Sequence, residues 1–274
     1  MRGVRHGNAL SRLPCALALA AALLSCTKNP SEPSWDLVWQ DEFTGPAGQP
    51  PDSTRWTYDI GTNWGNNQLE YDTSRPENVS LDGAGHLAIT ARAETWLGSD
   101  YTSGRINTRG RFEQSGGRFE ARMKLPRGQG IWPAFWLLGG NFGSVGWPAC
   151  GEIDIMEYRG QEPTLLHGSL HGPGYSGGNA VTRTYTVHGV TLDSGFHVYA
   201  VEWSAGKIVW YFDDVAFFTV TPRELPAGGR WVFDHPFFVI LNLAVGGGFV
   251  GPPDVSTTFP QQLLVDYVRI YRVK

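Results

Sequence analysis

Cysteine is scarce in this chain, with three in 274 residues, and two of them, Cys15 and Cys26, fall in the N-terminal 26 residues. Cys150 is then alone, so no intrachain disulfide framework is available. Charge is sparse as well: 22 Lys and Arg against 26 Asp and Glu leave a net charge of −4, with the two signs interspersed. That balance offers no basic surface to nucleic acid and suits a neutral polymer better. The HExxH run of a zinc-hydrolase helix is absent. No long segment has a convincing helical period, and a turn near Pro222 to Leu225 is the most that is expected. The apolar stretch Leu13 to Leu24 is too short for a comfortable membrane span.

That stretch has another meaning. Arg2, Arg5 and Arg12 precede it and Ser25-Cys26 follows, which is the layout of a basic n-region and a short h-region. Leu23-Leu-Ser-Cys26 resembles a bacterial lipobox, so residues 1–26 read as a lipoprotein-type signal peptide with Cys26 lipidated as the mature N-terminus. An ordinary secretory signal is the alternative. Residues 27–34 have a tether's composition. Both readings expect an exported protein, either lipid-anchored at a bacterial envelope or cell surface, or secreted.

From residue 35 to 274 the sequence is a series of short β-rich runs broken by Gly, Pro, Asn and Asp. His86 to Ala91, Phe196 to Trp203, Lys207 to Phe212 and Phe237 to Leu243 are examples. Asp213-Asp214 reads as a hairpin turn with Val215 to Val220 as the return strand. The 35 glycines and 18 prolines supply many turns, and an all-β sandwich in one domain follows.

The run Gly151-Glu-Ile-Asp-Ile-Met-Glu-Tyr158 places three carboxylates in an otherwise apolar strand. Alternation puts Glu152 and Asp154 on one face and sends Glu157 to the other. One extra residue, a β-bulge around Ile155-Met156, would return Glu157 to the acidic face and put Met156 in the core. Inward-leaning glutamates roughly 13 Å apart at the backbone could then bring their carboxyls to about 5 Å, the retaining-glycosidase spacing, while less leaning gives the inverting range. Taken alone, the run could equally be a solvated acidic face on an edge strand. Its neighbours argue for a sugar site. Gly130-Ile-Trp-Pro-Ala-Phe-Trp-Leu-Leu138 is aromatic and uncharged, and Leu165-Leu-His-Gly-Ser-Leu-His171 brings two histidines. Trp rings stack on the apolar faces of pyranoses while acids do the bond chemistry. Trp132 and Trp136 fall on one strand face and are the expected platforms, although two Trp in an apolar run more commonly fill core. Cys150, next to Glu152's neighbour Gly151, is read as a buried inert thiol.

These segments closely resemble glycoside hydrolase family 16, specifically its bacterial laminarinases. The resemblance extends through Trp39-Gln-Asp-Glu-Phe43, Trp64-Gly-Asn-Asn-Gln-Leu-Glu-Tyr71, Tyr101-Thr-Ser-Gly-Arg-Ile106, Gly117-Arg-Phe-Glu-Ala-Arg-Met123, Leu241-Asn-Leu-Ala-Val-Gly-Gly247 and Val265-Asp-Tyr-Val-Arg-Ile-Tyr271. It implies a curved jelly roll with an open concave substrate cleft, and a retaining endo-hydrolase of β-1,3-glucosidic bonds in laminarin-like glucans. Glu152 would be the nucleophile, Glu157 the acid/base and Asp154 an electrostatic support. His171, and less directly His167, would bind sugar hydroxyls near the cleavage point, and Asn63, Asn67, Arg105 and Trp147 would line the cleft. No catalytic cofactor is implied. A structural calcium is, held by Glu42, Asp266 and a backbone oxygen at Gly85. The expected partner is a β-glucan, the expected state a monomer, and the only expected membrane link is the lipid. Alternatives are a mixed-linkage β-1,3-1,4-glucanase or another family 16 polysaccharide hydrolase such as an agarase or carrageenase, a transglycosylase using the same residues, and a non-enzymatic β-glucan-binding recognition protein.

Overall fold

Alternating burial along the strands decides this architecture, and the computed structural model describes it for residues 1–3 and 34–274. Cys26 and nearly all of the tether 27–34 lie outside the described residues. Strands β1 (Trp35–Asp41), β2 (Thr57–Tyr58), β3 (Glu70–Asp72), β4 (Val79–Leu81), β5 (Leu87–Trp96) and β6 (Ser99–Ser103) come first. Next are β7 (Arg105–Asn107), β8 (Gly117–Lys124), β9 (Ile131–Gly139), β10 (Glu152–Tyr158), β11 (Leu165–His171) and β12 (Val181–Thr186). The last are β13 (His197–Ser204), β14 (Lys207–Phe212), β15 (Val215–Val220), β16 (Phe237–Val245) and β17 (Gln261–Val273).

They form two sheets. A seven-stranded sheet has the order β12-β11-β10-β9-β16-β7-β2, and a ten-stranded sheet the order β15-β14-β13-β8-β17-β5-β6-β3, with β1 added on β17 and β4 on β5. Pairing within the seven-stranded sheet is antiparallel. Ile131, Phe135 and Leu137 of β9 and Val239, Leu241 and Leu243 of β16 point into the space between the sheets. There they meet Phe119 and Met123 of β8, Val201 and Trp203 of β13, and Val265, Val268 and Ile270 of β17. Each large side chain buried this way contributes about 1.5–3 kcal/mol, and no disulfide is needed.

The hairpin expected at Asp213-Asp214 is present between β14 and β15, with φ of 45° and 63° at the two residues, the left-handed pair that suits the twist of a tight hairpin. The turn expected near Pro222 is a 3-10 helix, Pro222–Glu224, closed by a capping box with Thr221. The domain's two ends meet on the ten-stranded sheet: Trp35 pairs with Val273, and the Lys274 N–H donates to the Ser34 carbonyl at 2.9 Å.

Candidate active site

Strand β10 carries the bulge that its sequence requires. Against β9, Asp154 sits opposite Trp136 and Met156 opposite Phe135; against β11, Asp154 sits opposite Ser169 and Glu157 opposite His167. One extra residue lies between. Ile153, Ile155 and Met156 are all in the core, so Glu152, Asp154 and Glu157 share the outer face of the seven-stranded sheet. The break in the ladder leaves the Asp154 carbonyl to be satisfied from elsewhere, and the buried Trp210 indole on the opposing sheet donates to it at 2.8 Å. Gly168 of β11 faces that ring. A Cβ there would lie 2.8 Å from Trp210 Cδ1, so only glycine fits without a shift of the Trp.

Each carboxylate is held separately. The Trp147 indole N–H donates to Glu152 Oε2 at 2.8 Å. The Trp132 N–H donates to Glu157 Oε1 at 3.1 Å, and the Ser169 hydroxyl, itself accepting from Thr182, reaches Glu157 Oε2 at 3.5 Å. His171 Nε2 lies 3.0 Å from Asp154 Oδ2 and 3.6 Å from Glu152 Oε1. On the far side of that ring, Nδ1 accepts from the Gly177 N–H at 3.0 Å. In the neutral imidazole the proton is therefore on Nε2, facing the acids.

Burial pushes all three carboxyls up, and neighbouring negative charge adds to it at Glu152 and Glu157. Glu152 is raised to about 8, by burial first and the Asp154 charge second, against the opposing pull of His171. Glu157 is raised to about 8 for the same leading reasons, with the Trp132 and Ser169 donors pulling it down. Asp154 is raised to about 7 by burial, against a hydrogen bond with Glu152. Such a group retains protons at neutral pH, which is what an acid catalyst needs beside a carboxylate that is to be a base or nucleophile. Glu152, Asp154 and His171 also bring one ligand atom each within 4.8 Å of one another. The His171 lone pair is turned away to Gly177, so the trio does not offer a cation its imidazole nitrogen.

Trp132 and Trp136 share the outer face of β9, as expected, with Ala134 between them opposite Glu157 and Asn242. Their surroundings differ. Trp132 is only 8% exposed, beneath Phe249 at 5.1 Å, and holds Glu157 rather than lying open to a ring. Trp136 donates to Asn242 at 2.8 Å and lies 4.9 Å from the Arg105 guanidinium, whose other side faces Trp64 at 4.7 Å. Trp147, at 46% exposed, is the open aromatic beside the acids. His167 is buried, bonded to Thr184 at 3.0 Å and edge-on to Phe249, which makes it part of the wall. Burial and the charge of Arg159 hold its pKa below the ordinary histidine value. Asn63 and Asn67 stand exposed with φ of 67° and 57° in the loop that carries Trp64. That loop is tied to the other rim by the Gly248 N–H donating to the Asn66 carbonyl at 2.9 Å.

The carboxylates expected to hold calcium have side-chain partners of their own. Both oxygens of Glu42 accept from the Arg269 fork, at 2.7 and 2.9 Å, and Asp266 accepts from Arg122. These carboxylates are partners of arginines. Cys150 is buried and free, its thiol pushed up to about 11 by burial first and Glu152 second, which is an inert thiol as expected. Ser169, Asn242, Trp64, Asp59 and Trp210 join the site without having been singled out from sequence; only tertiary pairing brings them there.

Comparison with known proteins agrees with this geometry. The profile of Glycosyl hydrolases family 16 matches residues 59–268. A "Beta-glucanase" of Rhodothermus marinus is 41% identical over 266 residues, covering 94% of this chain and 92% of that protein. Among solved structures, the endo-beta-1,3-glucanase of Pyrococcus furiosus is 46% identical with a TM-score of 0.84, covering 88% of this chain and 96% of that one. The laminarinase catalytic domain of Thermotoga maritima is 44% identical with a TM-score of 0.83, covering 88% and 99%. The shared architecture is the jelly roll of two sheets.

Proposed function

The chain belongs to glycosyl hydrolase family 16, and from that premise we propose that it is a retaining endo-hydrolase of β-1,3-glucosidic bonds in laminarin-like β-glucans. The observation that carries the reading is the bulged β10, which sets Glu152, Asp154 and Glu157 on one open face beside Trp132, Trp136 and Trp147.

In the first step Glu152 attacks the anomeric carbon as the departing glycosidic oxygen takes the Glu157 proton, leaving a covalent glycosyl-enzyme. In the second, Glu157, now a carboxylate, takes a proton from water, whose oxygen displaces Glu152 and returns both acids to their starting states. At rest the proton shared by the pair sits on Glu152, whose pKa is the higher, and Asp154 carries the charge; the proton passes to Asp154 as Glu152 becomes the attacking anion. The Trp147 N–H and the nearby His171 ring favour that anion. Burial and the Asp154 charge keep Glu157 protonated until the leaving group needs it. No cofactor enters these steps. The calcium is not carried into the proposal, because Glu42 and Asp266 already have arginine partners.

The substrate test is product analysis on laminarin, mixed-linkage glucan, agarose and carrageenan side by side. Short β-1,3-oligomers from laminarin, early and across a range of sizes, support the endo-hydrolase. Binding of laminarin with no cleavage of any polymer would replace it with the recognition-protein reading. Glu152→Gln and Glu157→Gln should each remove nearly all activity, and azide rescue confined to one of them assigns nucleophile against acid/base. We also infer export with a lipid on Cys26, from Arg2, Arg5 and Arg12, the apolar stretch and Leu23-Leu-Ser-Cys26. A diacylglyceryl-modified Cys26 as the first mature residue, seen by mass, supports it; an unmodified terminus elsewhere removes it.

A further inference from the structure

A second pair of buried carboxylates lies on β3, at the end of the ten-stranded sheet. Glu70 and Asp72 of β3 are each 1% exposed and, two residues apart, share a strand face. Among the described residues, neither has a Lys, Arg or His nitrogen within 4.0 Å. Glu70 Oε2 accepts from the Val245 N–H at 2.8 Å, where β16 ends. Asp72 Oδ2 accepts from the Trp64 indole N–H at 2.8 Å, while its Oδ1 is buried with no hydrogen-bond partner. The one cation nearby, Arg105, gives its Nε to Asp59 at 2.9 Å. Three carboxylates thus surround one guanidinium.

Two acids so buried and so close cannot both ionise without a large penalty. Burial raises Glu70 to about 7, against its bond to Val245, and raises Asp72 well above the usual carboxylate range, by burial first and the Glu70 charge second. The unpartnered Asp72 Oδ1 is the oxygen left to carry a proton, with Oδ2 as the carbonyl that receives Trp64. The groups facing the pair are Arg105 from β7, Asp59 and Trp64 from the segment after β2, Val245 from β16 and Tyr101 opposite Glu70 on β6.

We propose that Glu70 and Asp72, sharing one proton, are positioning residues that hold Trp64 against Arg105 and thereby build the outer part of a polymer-gripping wall that runs away from the cleavage point. Trp64, Arg105 and Trp136 form a continuous stack, with the guanidinium between two indole rings. Asp72 fixes the outer ring of that stack and Asp59 the guanidinium. From β10 across β9 and β16 to β7 is three strand spacings, about 14 Å, so Arg105 and Trp64 touch a chain well away from the bond being cut, while Trp136 at the inner end of the wall pairs with Asp154. The outer part therefore contributes to holding substrate and not to the chemical steps. When the shared proton is lost, repulsion within the pair loosens Trp64, and the grip weakens at alkaline pH.

The inference rests on the β-glucan hydrolase reading, and steady-state kinetics on laminarin from pH 5 to 9 separates the two. If the unaltered protein cleaves no glucan, the functional reading fails before the pair is tested. If it does, its KM should rise above about pH 8. Asp72→Ala should raise KM roughly tenfold with kcat changed less than about twofold. Asp72→Asn, isosteric and never ionised, should keep a wild-type KM at pH 6 and lose the alkaline rise. A kcat that falls in step with 1/KM in Asp72→Ala, or an alkaline KM rise that persists in Asp72→Asn, overturns the proposal. Should Asp72→Ala fail to fold, the pH dependence of Asp72→Asn decides alone.

Discussion

The Gly177 N–H and His171 Nδ1 are joined at 3.0 Å, and this one bond fixes which nitrogen of the imidazole faces the acids. The donor belongs to a 3-10 turn, Gly177–Asn179, so a surface turn sets a tautomer in the site. In the neutral ring, 15N NMR should find His171 protonated at Nε2 and bare at Nδ1; a proton on Nδ1 would contradict the assignment. His171→Ala, which removes the ring 3.0 Å from Asp154 Oδ2 and 3.6 Å from Glu152 Oε1, should lower kcat by roughly tenfold to a hundredfold.

Glu157 has its pKa raised in the folded protein, so the folded state binds that proton more tightly than the unfolded chain does. The associated stability is complete below the ordinary carboxylate value and is lost as pH rises towards about 8. Glu157→Gln has no such proton to lose. Its Tm should exceed that of the unaltered protein at pH 8 and match it near pH 4.5, at roughly 2–4 °C per kcal/mol. Equal differences at both pH values would count against a buried, proton-retaining Glu157.

Asp154 raises Glu157 through its charge, second only to burial. Removing that charge in Asp154→Asn should lower the Glu157 pKa, so the alkaline limb of kcat/KM should move to lower pH while the maximum rate falls. An alkaline limb displaced upward would show that the Asp154 charge does not act on Glu157.

The bulge depends on Trp210 as much as on β10. Trp210→Phe keeps most of the ring and removes the donor to the Asp154 carbonyl. The expected cost is about 1–3 kcal/mol, together with a loss of activity as Glu157 shifts. Gly168→Ala, pressing a methyl against the same indole, should do likewise. Unchanged denaturation midpoints in both would remove Trp210 as the support of the bulge.

Cys150, buried with its thiol raised to about 11, should resist alkylation in the folded domain and react fully after denaturation. Rapid labelling of the native domain would contradict its burial.

Features written in period-two patterning were legible in the sequence. Glu157 has the wrong parity for a regular strand, and that alone located the bulge. Trp132 and Trp136 have the right parity, and they share a face. Residues whose meaning depends on a distant partner were not legible. Nothing local marks Trp132 as the donor to Glu157 instead of an open platform, because Phe249, which covers it, is more than a hundred residues away. Glu70 and Asp72 sit in a polar stretch, yet both are buried. Glu42 and Asp266 have the chemistry of calcium ligands, and the register of β1, β8 and β17 gives them arginines instead.

The hydrogen bond from Lys274 to Ser34 brings both ends of the domain to one place on the sheet that does not bear the carboxylates. A surface attached through either end, be it a bilayer, a resin or a second folded module, is joined to the back of the enzyme. The groove is left facing outward, towards polymer too large to diffuse between the two.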